Sequence, residues 1–145
     1  MLRKKNILIA SDHAGFELKE ILKEYLESKK YSVYDCGPEN GEDAVDYPDY
    51  AHKLCGFIKL NKAKSGILIC GTGIGMSISA NKHKSIRAAL CTNIEMSEMS
   101  RKHNNANVLV LGARITKPDM AKKILDAFLD GHFEKGRHQK RIDKI

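Results

Sequence analysis

The sequence predicts an α/β fold in three layers, a doubly wound five-stranded parallel sheet of the Rossmann-like kind with helices on both faces. Five short, mainly apolar runs alternate with longer amphipathic segments, and this alternation is typical of parallel sheets. We interpret all five runs as continuous and apolar, as in strands that are covered on both faces. The strand candidates are NILIA (6–10), YSVYDC (31–36), GILIC (66–70), IRAALC (86–91) and NVLVLG (107–112).

Two segments between or after these strands have clear helical spacing. Apolar residues recur at intervals of three and four over residues 18–26 and again over residues 121–129. Each set places one apolar stripe along a helix. Pro118 and Gly131 bracket the second helix, because proline suits the first turn and glycine suits the residue after the last.

Start signals predict two further helices. Pro48 suits a first helical turn ahead of an apolar stripe that begins at Ala51. Thr92 and Glu95 have the spacing of a capping box, which predicts a helix that opens there and ends near residue 103. Strand and helix therefore alternate five times along the chain.

Length and composition indicate an ordinary globular protein. The 145 residues are 42% hydrophobic and 30% charged, and no repeat or linker divides them, so one domain over 1–145 is predicted, with a basic C-terminal segment at 132–145. No apolar run approaches the ~20 residues that a membrane span needs. The apolar stretch near the N-terminus is also too short for a secretory signal. We therefore expect a cytoplasmic protein with no membrane partner.

The net charge of +7 favours an anionic partner. Phosphorylated metabolites, nucleotides, nucleic acids and acidic membranes all fit this sign. The excess is concentrated in EKGRHQKRIDK (134–144). A basic tail is often simply solvated, so charge alone leaves both interpretations open.

The four cysteines have no C-x-x-C spacing, which predicts neither a disulfide nor a zinc site. Cys36, Cys55 and Cys91 are expected to pack in the core. Cys70 differs because it ends a predicted strand and opens the turn GTGIG (71–75). A thiol at the start of a helix is more readily ionised at neutral pH, although Cys70 could also be a buried core thiol. No metal and no cofactor are predicted.

Several polar residues follow strands at the edge where an α/β sheet binds its ligands. Asp12 and His13 follow the first strand, Cys70 ends the third, and Arg114 follows the fifth. We expect these residues to face one crevice. His103 precedes the fifth strand and belongs to the opposite edge, so a functional His103 would reach the crevice of a neighbouring subunit in a self-complementary dimer.

The glycine turn is neither a P-loop nor a dinucleotide fingerprint. Its glycines would let backbone N–H groups converge on an anion, but a tight strand–helix turn explains the same residues. Asp12 could merely cap the following helix, and His103 could merely favour a helix C-terminus. The arginines could be solvated. These alternatives remain open from the residues alone.

Six ordered blocks of the chain resemble the sugar-phosphate isomerase family that contains ribose-5-phosphate isomerase type B and the galactose-6-phosphate and allose-6-phosphate isomerases. The blocks span nearly the whole length, and they are SDHAGF (11–16), DYPDYA (46–51), GILICGTGIGMSISANK (66–82), IRAAL (86–90), SRKHNNANVLVLGAR (100–114) and GRHQKR (136–141). The number and order of the blocks make the resemblance specific.

The resemblance implies an aldose–ketose isomerase that interconverts ribose 5-phosphate and ribulose 5-phosphate through an enediolate. It implies that Cys70 is the proton acceptor and that His103 opens the sugar ring, with Thr72 assisting. It implies a phosphorylated sugar as partner, no metal, and a homodimer with shared active sites, or a tetramer built from two dimers. The substrate-binding positions it implies are Asp12, His13, Gly71, Thr72, Gly73, Ile74, Gly75, Asn104, Arg114, Arg137 and Arg141.

Two other classes of function compete with this expectation. A flavin- or nucleotide-binding module would suit the same sheet, but both phosphate-binding fingerprints are missing. Nucleic-acid binding through the basic tail would need stacking side chains. Aromatic residues make up only 6% of the chain and none interleaves with the charges of the tail. We therefore predict no nucleic-acid partner.

Overall fold

The computed structural model describes residues 5–145 and contains one five-stranded sheet with helices on both sides. In chain order the elements are β1 (Asn6–Ser11), α1 (Phe16–Ser28), β2 (Ser32–Asp35), α2 (Tyr47–Lys59), β3 (Gly66–Cys70), α3 (Ile74–Ala80), β4 (Ala88–Leu90), α4 (Ile94–Lys102), β5 (Val108–Gly112), α5 (Pro118–Asp130) and α6 (Arg137–Ile142). No helix in this part of the chain is both long and apolar enough to cross a membrane.

The sheet order is β2-β1-β3-β5-β4, and every neighbouring pair is parallel. The predicted doubly wound parallel sheet is therefore confirmed. β1, β3 and β5 occupy the centre, so the loops that follow them meet at one edge. Cys70, the last residue of β3, lies opposite Gly112, the last residue of β5.

Alternate residues of the central strands supply two separate cores. On one face, Ile9, Ile69 and Leu109 pack with apolar residues of α1 and α5. On the other face, Leu68 and Cys70 pack with residues of α2 and α3. This alternation follows from the two-residue period of a strand. It places the side chain of Cys70 on the α2–α3 side of the sheet.

The edge strands differ from the prediction. β2 and β4 are shorter than the predicted 31–36 and 86–91, and their residues are half-buried or exposed. The residues of β1, β3 and β5 are almost all buried, as predicted. An edge strand has one neighbour and is only partly covered by helices. The prediction that helices cover both faces of every strand is therefore wrong for β2 and β4.

Helix boundaries confirm most of the predicted signals. Pro48 lies in the first turn of α2, and Pro118 and Gly131 bracket α5. The predicted cap of α4 is wrong by one residue, since Asn93 is the cap and its side-chain oxygen accepts the N–H of Met96 at 2.8 Å. The backbone of Asn93 is extended, and this conformation lets its side-chain oxygen reach the N–H of Met96. α6, within the basic C-terminal segment, was not predicted.

Candidate functional site

The turn between β3 and α3 holds the thiol of Cys70 against backbone donors. The N–H of Gly73 donates to Cys70 Sγ at 3.2 Å. The N–H of Ile74 donates to Thr72 Oγ1 at 3.3 Å. Two of the backbone N–H groups that were predicted to bind an anion therefore already donate to acceptors within the turn. The sulfur at the end of β3 is therefore held in place by the backbone of the turn.

Two glycines are needed because backbone segments approach closely here. Gly73 has φ +83°, which an L side chain rarely adopts, and a Cβ there would lie 2.5 Å from Leu90 Cδ1. A Cβ on Gly112 would lie 2.4 Å from the carbonyl oxygen of Thr72. The loop after β5 thus lies directly on the turn after β3, as the shared edge of the sheet requires.

In the single chain, Cys70 is only 4% exposed. It packs with Leu68 and Met76 in the α2–α3 core, so among residues 5–145 the sulfur is buried and does not face the open crevice that was expected. Cys70 does keep its N–H donor. The other thiols are buried in the core as predicted, and burial raises the pKa of Cys36, Cys55 and Cys91 to about 11.

Asp12 and His13 lie at the same edge of the sheet. Asp12 Oδ1 accepts the N–H of Gly15 at 3.0 Å, so Asp12 stabilises the turn before α1. His13 is exposed, and its Nδ1 accepts the N–H of Val45 at 3.1 Å. This contact places the proton of neutral His13 on Nε2. A cavity of about 340 Å³ lies beyond β2, lined by residues between Cys36 and Lys53 that include Val45.

Arg114 completes the group at this edge. Its N–H donates to the carbonyl of Gly71 at 2.9 Å. Its guanidinium lies over the same glycine, since a Cβ on Gly71 would be 3.0 Å from Arg114 Nη1. Arg114 also lines a cavity of about 220 Å³ between the first turns of α1 and α5. Asp12, His13, Cys70 and Arg114 therefore share one edge, as predicted.

The remaining predicted residues lie at the opposite edge. His103 follows α4 and precedes β5, and its ring stacks on that of His138 with centroids 4.3 Å apart and planes 14° apart. Burial, reinforced by Arg137, lowers the pKa of His138. Arg137 and Arg141 are exposed on α6, and Asn104 is exposed beside His103.

The structure thus divides the predicted residues into two groups. The carboxyl-edge group is Asp12, His13, Gly71, Thr72, Gly73, Ile74, Gly75, Cys70 and Arg114, and the amino-edge group is His103, Asn104, Arg137 and Arg141. Among residues 5–145, no hydrogen bond or ion pair joins the two groups. A single chain does not bring the three arginines together.

Sequence reasoning missed two residues of the amino-edge group, His138 and Glu134. Glu134 Oε1 lies 3.6 Å from His103 Nε2 and 3.9 Å from His138 Nε2. In the described chain, these three residues are a group whose ligand atoms are close enough to share a metal ion. Glu134 and His138 lie 31 and 35 positions after His103, so no local spacing linked them. The one sequence signal for His138 was its place within GRHQKR.

Residues 7–145 match the family model described as Ribose/Galactose Isomerase. The chain belongs to this family.

Similar proteins agree with membership of the Ribose/Galactose Isomerase family over the full length. Ribose-5-phosphate isomerase B of Escherichia coli is 41% identical over 97% of this chain and 94% of its own. The crystal structure of a ribose 5-phosphate isomerase from Thermotoga maritima is 51% identical, covers 98% of this chain and 97% of that chain, and superposes with a TM-score of 0.95. Ribose-5-phosphate isomerase B from Mycoplasma genitalium with bound ribulose-5-phosphate is 45% identical, covers 99% and 95%, and has a TM-score of 0.93.

Proposed function

We propose that this chain is an aldose–ketose isomerase that interconverts ribose 5-phosphate and ribulose 5-phosphate. The relative with bound ribulose-5-phosphate supports the substrate, because its fold matches at a TM-score of 0.93. Within this chain, the observation that carries the chemistry is the thiol of Cys70, which accepts the N–H of Gly73 at 3.2 Å. A base held beside backbone donors suits proton transfer through an anionic intermediate.

Cys70 transfers the proton in this mechanism. Its thiolate takes the proton from C2 of the open-chain aldose, the electrons move onto the carbonyl oxygen, and an enediolate forms. The thiol then returns the proton to C1, and a second proton shift between the two oxygens completes the ketose. A positioned base typically contributes ~10²–10⁴-fold to the rate. His103 acts earlier, moving a proton to the ring oxygen as the furanose opens.

The turn after Cys70 stabilises the enediolate. Gly73 N–H is committed to the sulfur and Ile74 N–H to Thr72, so the N–H groups of Gly71, Thr72 and Gly75 are left as the candidate donors to a substrate oxygen. One well-placed donor in other enzymes stabilises the transition state by ~2.7–4 kcal/mol. The hydroxyl of exposed Thr72 accepts from Ile74, which leaves its own proton for the sugar.

Arginines bind the phosphate. Guanidinium groups match phosphate oxygens in pairs. Arg114 lies over Gly71 at the carboxyl edge, whereas Arg137 and Arg141 lie on α6 at the other edge. His13, with its proton on Nε2, and Asn104 supply further donors in this proposal. The function of the basic C-terminal segment is then phosphate binding.

The separation of the two groups supports a homodimer with shared sites. In an isologous pair, the amino edge of one chain can meet the carboxyl edge of its partner twice. Exposed apolar side chains lie next to the Cys70 turn, with Ile74 55%, Ile78 59% and Tyr47 40% exposed, and such a patch is typical of an interface. The same contact would bring the amino edge of the partner over the Cys70 turn. Two such dimers could pair into a tetramer, and a measurement of the mass of the assembly in solution would distinguish the tetramer from the dimer.

The state of the cysteines fits a reducing compartment. All four are free thiols, and proteins in oxidising compartments usually pair theirs. We therefore propose a cytoplasmic enzyme.

A Cys70→Ala variant tests the proposed base. It should lose isomerase turnover with ribose 5-phosphate while it still binds the phosphosugar in calorimetry. Cys55→Ala is the matched control, because it removes a buried thiol from α2, away from the turn, and should retain turnover. Near-normal turnover in Cys70→Ala would refute the assignment of the base.

An assay of ribose 5-phosphate, allose 6-phosphate and galactose 6-phosphate side by side shows whether the enzyme prefers a five-carbon or a six-carbon sugar phosphate.

A further inference from the structure

Three side chains with metal-ligating atoms meet where α4, the segment before α6, and α6 come together. One ligand atom from each of His103, Glu134 and His138 lies within 4.8 Å of the other two. The carboxylate oxygen is 3.6 Å from His103 and 3.9 Å from His138. A backbone bond from Glu134 N–H to the carbonyl of Lys102, at 3.0 Å, holds the segment against the end of α4.

His138 provides a separate indication of a ligand. The residue is 5% exposed, and its Nε2 is buried without a hydrogen-bond partner in the described structure. A buried polar atom without a hydrogen-bond partner destabilises the fold, so this ring nitrogen is expected to bind a ligand.

The distances suit a transition-metal ion after the His103 ring moves. Ligands at about 2.0–2.2 Å from a tetrahedral Zn²⁺ lie roughly 3.3–3.6 Å apart. The Glu134 contacts of 3.6 and 3.9 Å are close to this range, whereas the two imidazole ligand atoms, which lie within 4.8 Å of each other, must approach by up to roughly 1.5 Å. The His103 ring must also tilt out of the stack for its lone pair to meet the same ion. Both movements are open to these residues, since the side chains of His103 and Glu134 are 38% and 49% exposed. His138 is the fixed member of the set.

We propose that His103, Glu134 and His138 bind a divalent transition-metal ion of the Zn²⁺ class, and that the ion inhibits the isomerase by occupying His103. Two imidazoles and a carboxylate favour Zn²⁺, Co²⁺, Ni²⁺ or Cu²⁺ over Mg²⁺, which prefers oxygen ligands. Three protein ligands leave a fourth position for water or for a substrate oxygen. The positive charges of Arg137 and Arg141 oppose a cation here, whereas Glu134 offsets them. The inhibition rests on the proposed function, but the binding does not.

Direct binding to the full-length protein is tested first. Titration with Co²⁺ should produce the visible absorption of a tetrahedral or five-coordinate site, and Zn²⁺ should displace it at one ion per chain. Glu134→Gln removes an exposed ligand with little risk to the fold and should weaken Zn²⁺ binding at least ~10-fold in calorimetry. His138→Asn should weaken it further, provided that circular dichroism shows the variant is folded.

A second histidine pair provides the control. His52 Nδ1 and His83 Nε2 lie 2.6 Å apart on the surface, so this pair is the competing site that the experiment has to exclude. His83→Asn should leave the Co²⁺ spectrum and the Zn²⁺ affinity unchanged. If His83→Asn removes binding and Glu134→Gln does not, or if neither ion binds the wild-type chain, the proposal is overturned.

Activity is measured separately. Zn²⁺ should inhibit ribose 5-phosphate isomerisation reversibly, a chelator should restore the rate, and Glu134→Gln should need at least ~10-fold more Zn²⁺ for the same fractional inhibition of its own metal-free rate. Binding without inhibition contradicts the role assigned to the ion. A chain that binds Zn²⁺ through these residues but has no metal-free turnover would instead contradict the proposed function and leave the metal site standing.

Discussion

The backbone N–H of Gly73 donates a hydrogen bond to Cys70 Sγ at 3.2 Å, and it does so from a residue with φ +83°. The left-handed conformation turns the amide back towards the end of β3. The position of the sulfur therefore depends on the conformation of the glycine. A substitution at Gly73 should change the environment of the proposed base.

We expect Gly73→Ala to lower both stability and turnover. A left-handed conformation costs an L residue about 1–2 kcal/mol, and the new Cβ would lie 2.5 Å from Leu90 Cδ1. Alanine keeps the N–H, but relief of the clash and of the left-handed conformation should move it away from Cys70 Sγ. A hydrogen bond to a charged group is worth about 1.5–3 kcal/mol, so loss of this bond should reduce kcat roughly 10- to 100-fold. Urea unfolding and a coupled isomerase assay measure the two effects.

Gly56→Ala is the matched control for this substitution. Gly56 lies within α2, and a Cβ there meets nothing within 4 Å. Alanine should stabilise this helix by about 0.5–1 kcal/mol and leave kcat unchanged. If Gly73→Ala behaves like Gly56→Ala, the link between the turn and the sulfur is wrong.

Mixed dimers test whether the two groups of residues complete one site across an interface. Cys70→Ala and His103→Asn should each be nearly inactive as homodimers. Dimers with one chain of each kind, isolated through two different affinity tags, contain one site with both residues intact and one site with neither. They should recover about half of the wild-type activity per dimer.

A site confined to one chain predicts the opposite result. Each chain of the mixed dimer would then carry one lesion, and no activity should return. Wild-type dimers assembled through the same two tags provide the reference rate. Mass measurement of the same sample distinguishes the dimer from the tetramer.

Most of the fold was predictable because it depends on patterns that are local in the sequence. The continuous apolar runs of β1, β3 and β5 predicted strands that are covered on both faces, and Pro118 and Gly131 predicted the ends of α5. β2 and β4 were predicted too long because an apolar run does not reveal that a strand will have only one neighbour. The cap at Asn93 rather than Thr92 depended on backbone geometry that the capping-box spacing does not specify.

The sequence predicted on which edge of the sheet each candidate residue lies, but it did not predict the contacts between them. Parallel strands alone placed Cys70 and Arg114 together and His103 apart from them. The burial of Cys70 and the commitment of Gly73 N–H to its sulfur depend on how closely the turn folds over β3. Glu134 and His138 join His103 through tertiary packing of α6, for which sequence spacing gives no rule.

Asp35 should be essential to stability because it neutralises a buried lysine. Lys19 is 0% exposed, and its Nζ lies 2.8 Å from each carboxylate oxygen of Asp35 and from the carbonyl of Pro38. Asp35→Asn would leave the ammonium group with only the more exposed Glu20 carboxylate, whose Oε1 lies 3.3 Å away; removing one partner of a buried ion pair typically costs about 3–5 kcal/mol, and Glu20 should hold the loss to the lower end. Asp126→Asn breaks the pair with Lys29, whose side chains are 41% and 32% exposed, and should cost less than about 1 kcal/mol.

The same pair predicts a dependence of stability on pH. Burial alone would raise the pKa of Asp35, but hydrogen bonds from Lys19, Gly37 N–H and Lys23 outweigh it and lower the pKa. A lowered folded-state pKa means that the stabilisation is present above the unfolded value of about 3.9 and is lost as the pH falls below it. The stability gap between wild type and Asp35→Asn should therefore narrow below about pH 4. A gap that stays constant from pH 7 to pH 3 contradicts the argument.

Arg137 and Arg141 should affect substrate binding more than chemistry. Each is exposed on α6 and free to meet a phosphate, and a charged hydrogen bond is worth about 1.5–3 kcal/mol. Alanine at either position should raise KM for ribose 5-phosphate about 10- to 100-fold with a smaller change in kcat. Lys144→Ala removes an equal charge from the same basic segment and should change KM little. Equal effects in all three variants would indicate general electrostatic attraction and not a phosphate clamp.

Thiol labelling should separate Cys70 from the other cysteines. Burial raises the pKa of Cys36, Cys55 and Cys91 to about 11, so at pH 8 only about one in a thousand of these groups is ionised. Iodoacetamide should therefore modify Cys70 alone in the native protein, slowly because the residue is 4% exposed, and all four cysteines in denaturant. Ribose 5-phosphate should slow the native reaction if the sugar lies against the sulfur. Peptide mass spectrometry with and without substrate measures this, and native labelling of Cys55 as fast as Cys70 would contradict the separate role of the turn.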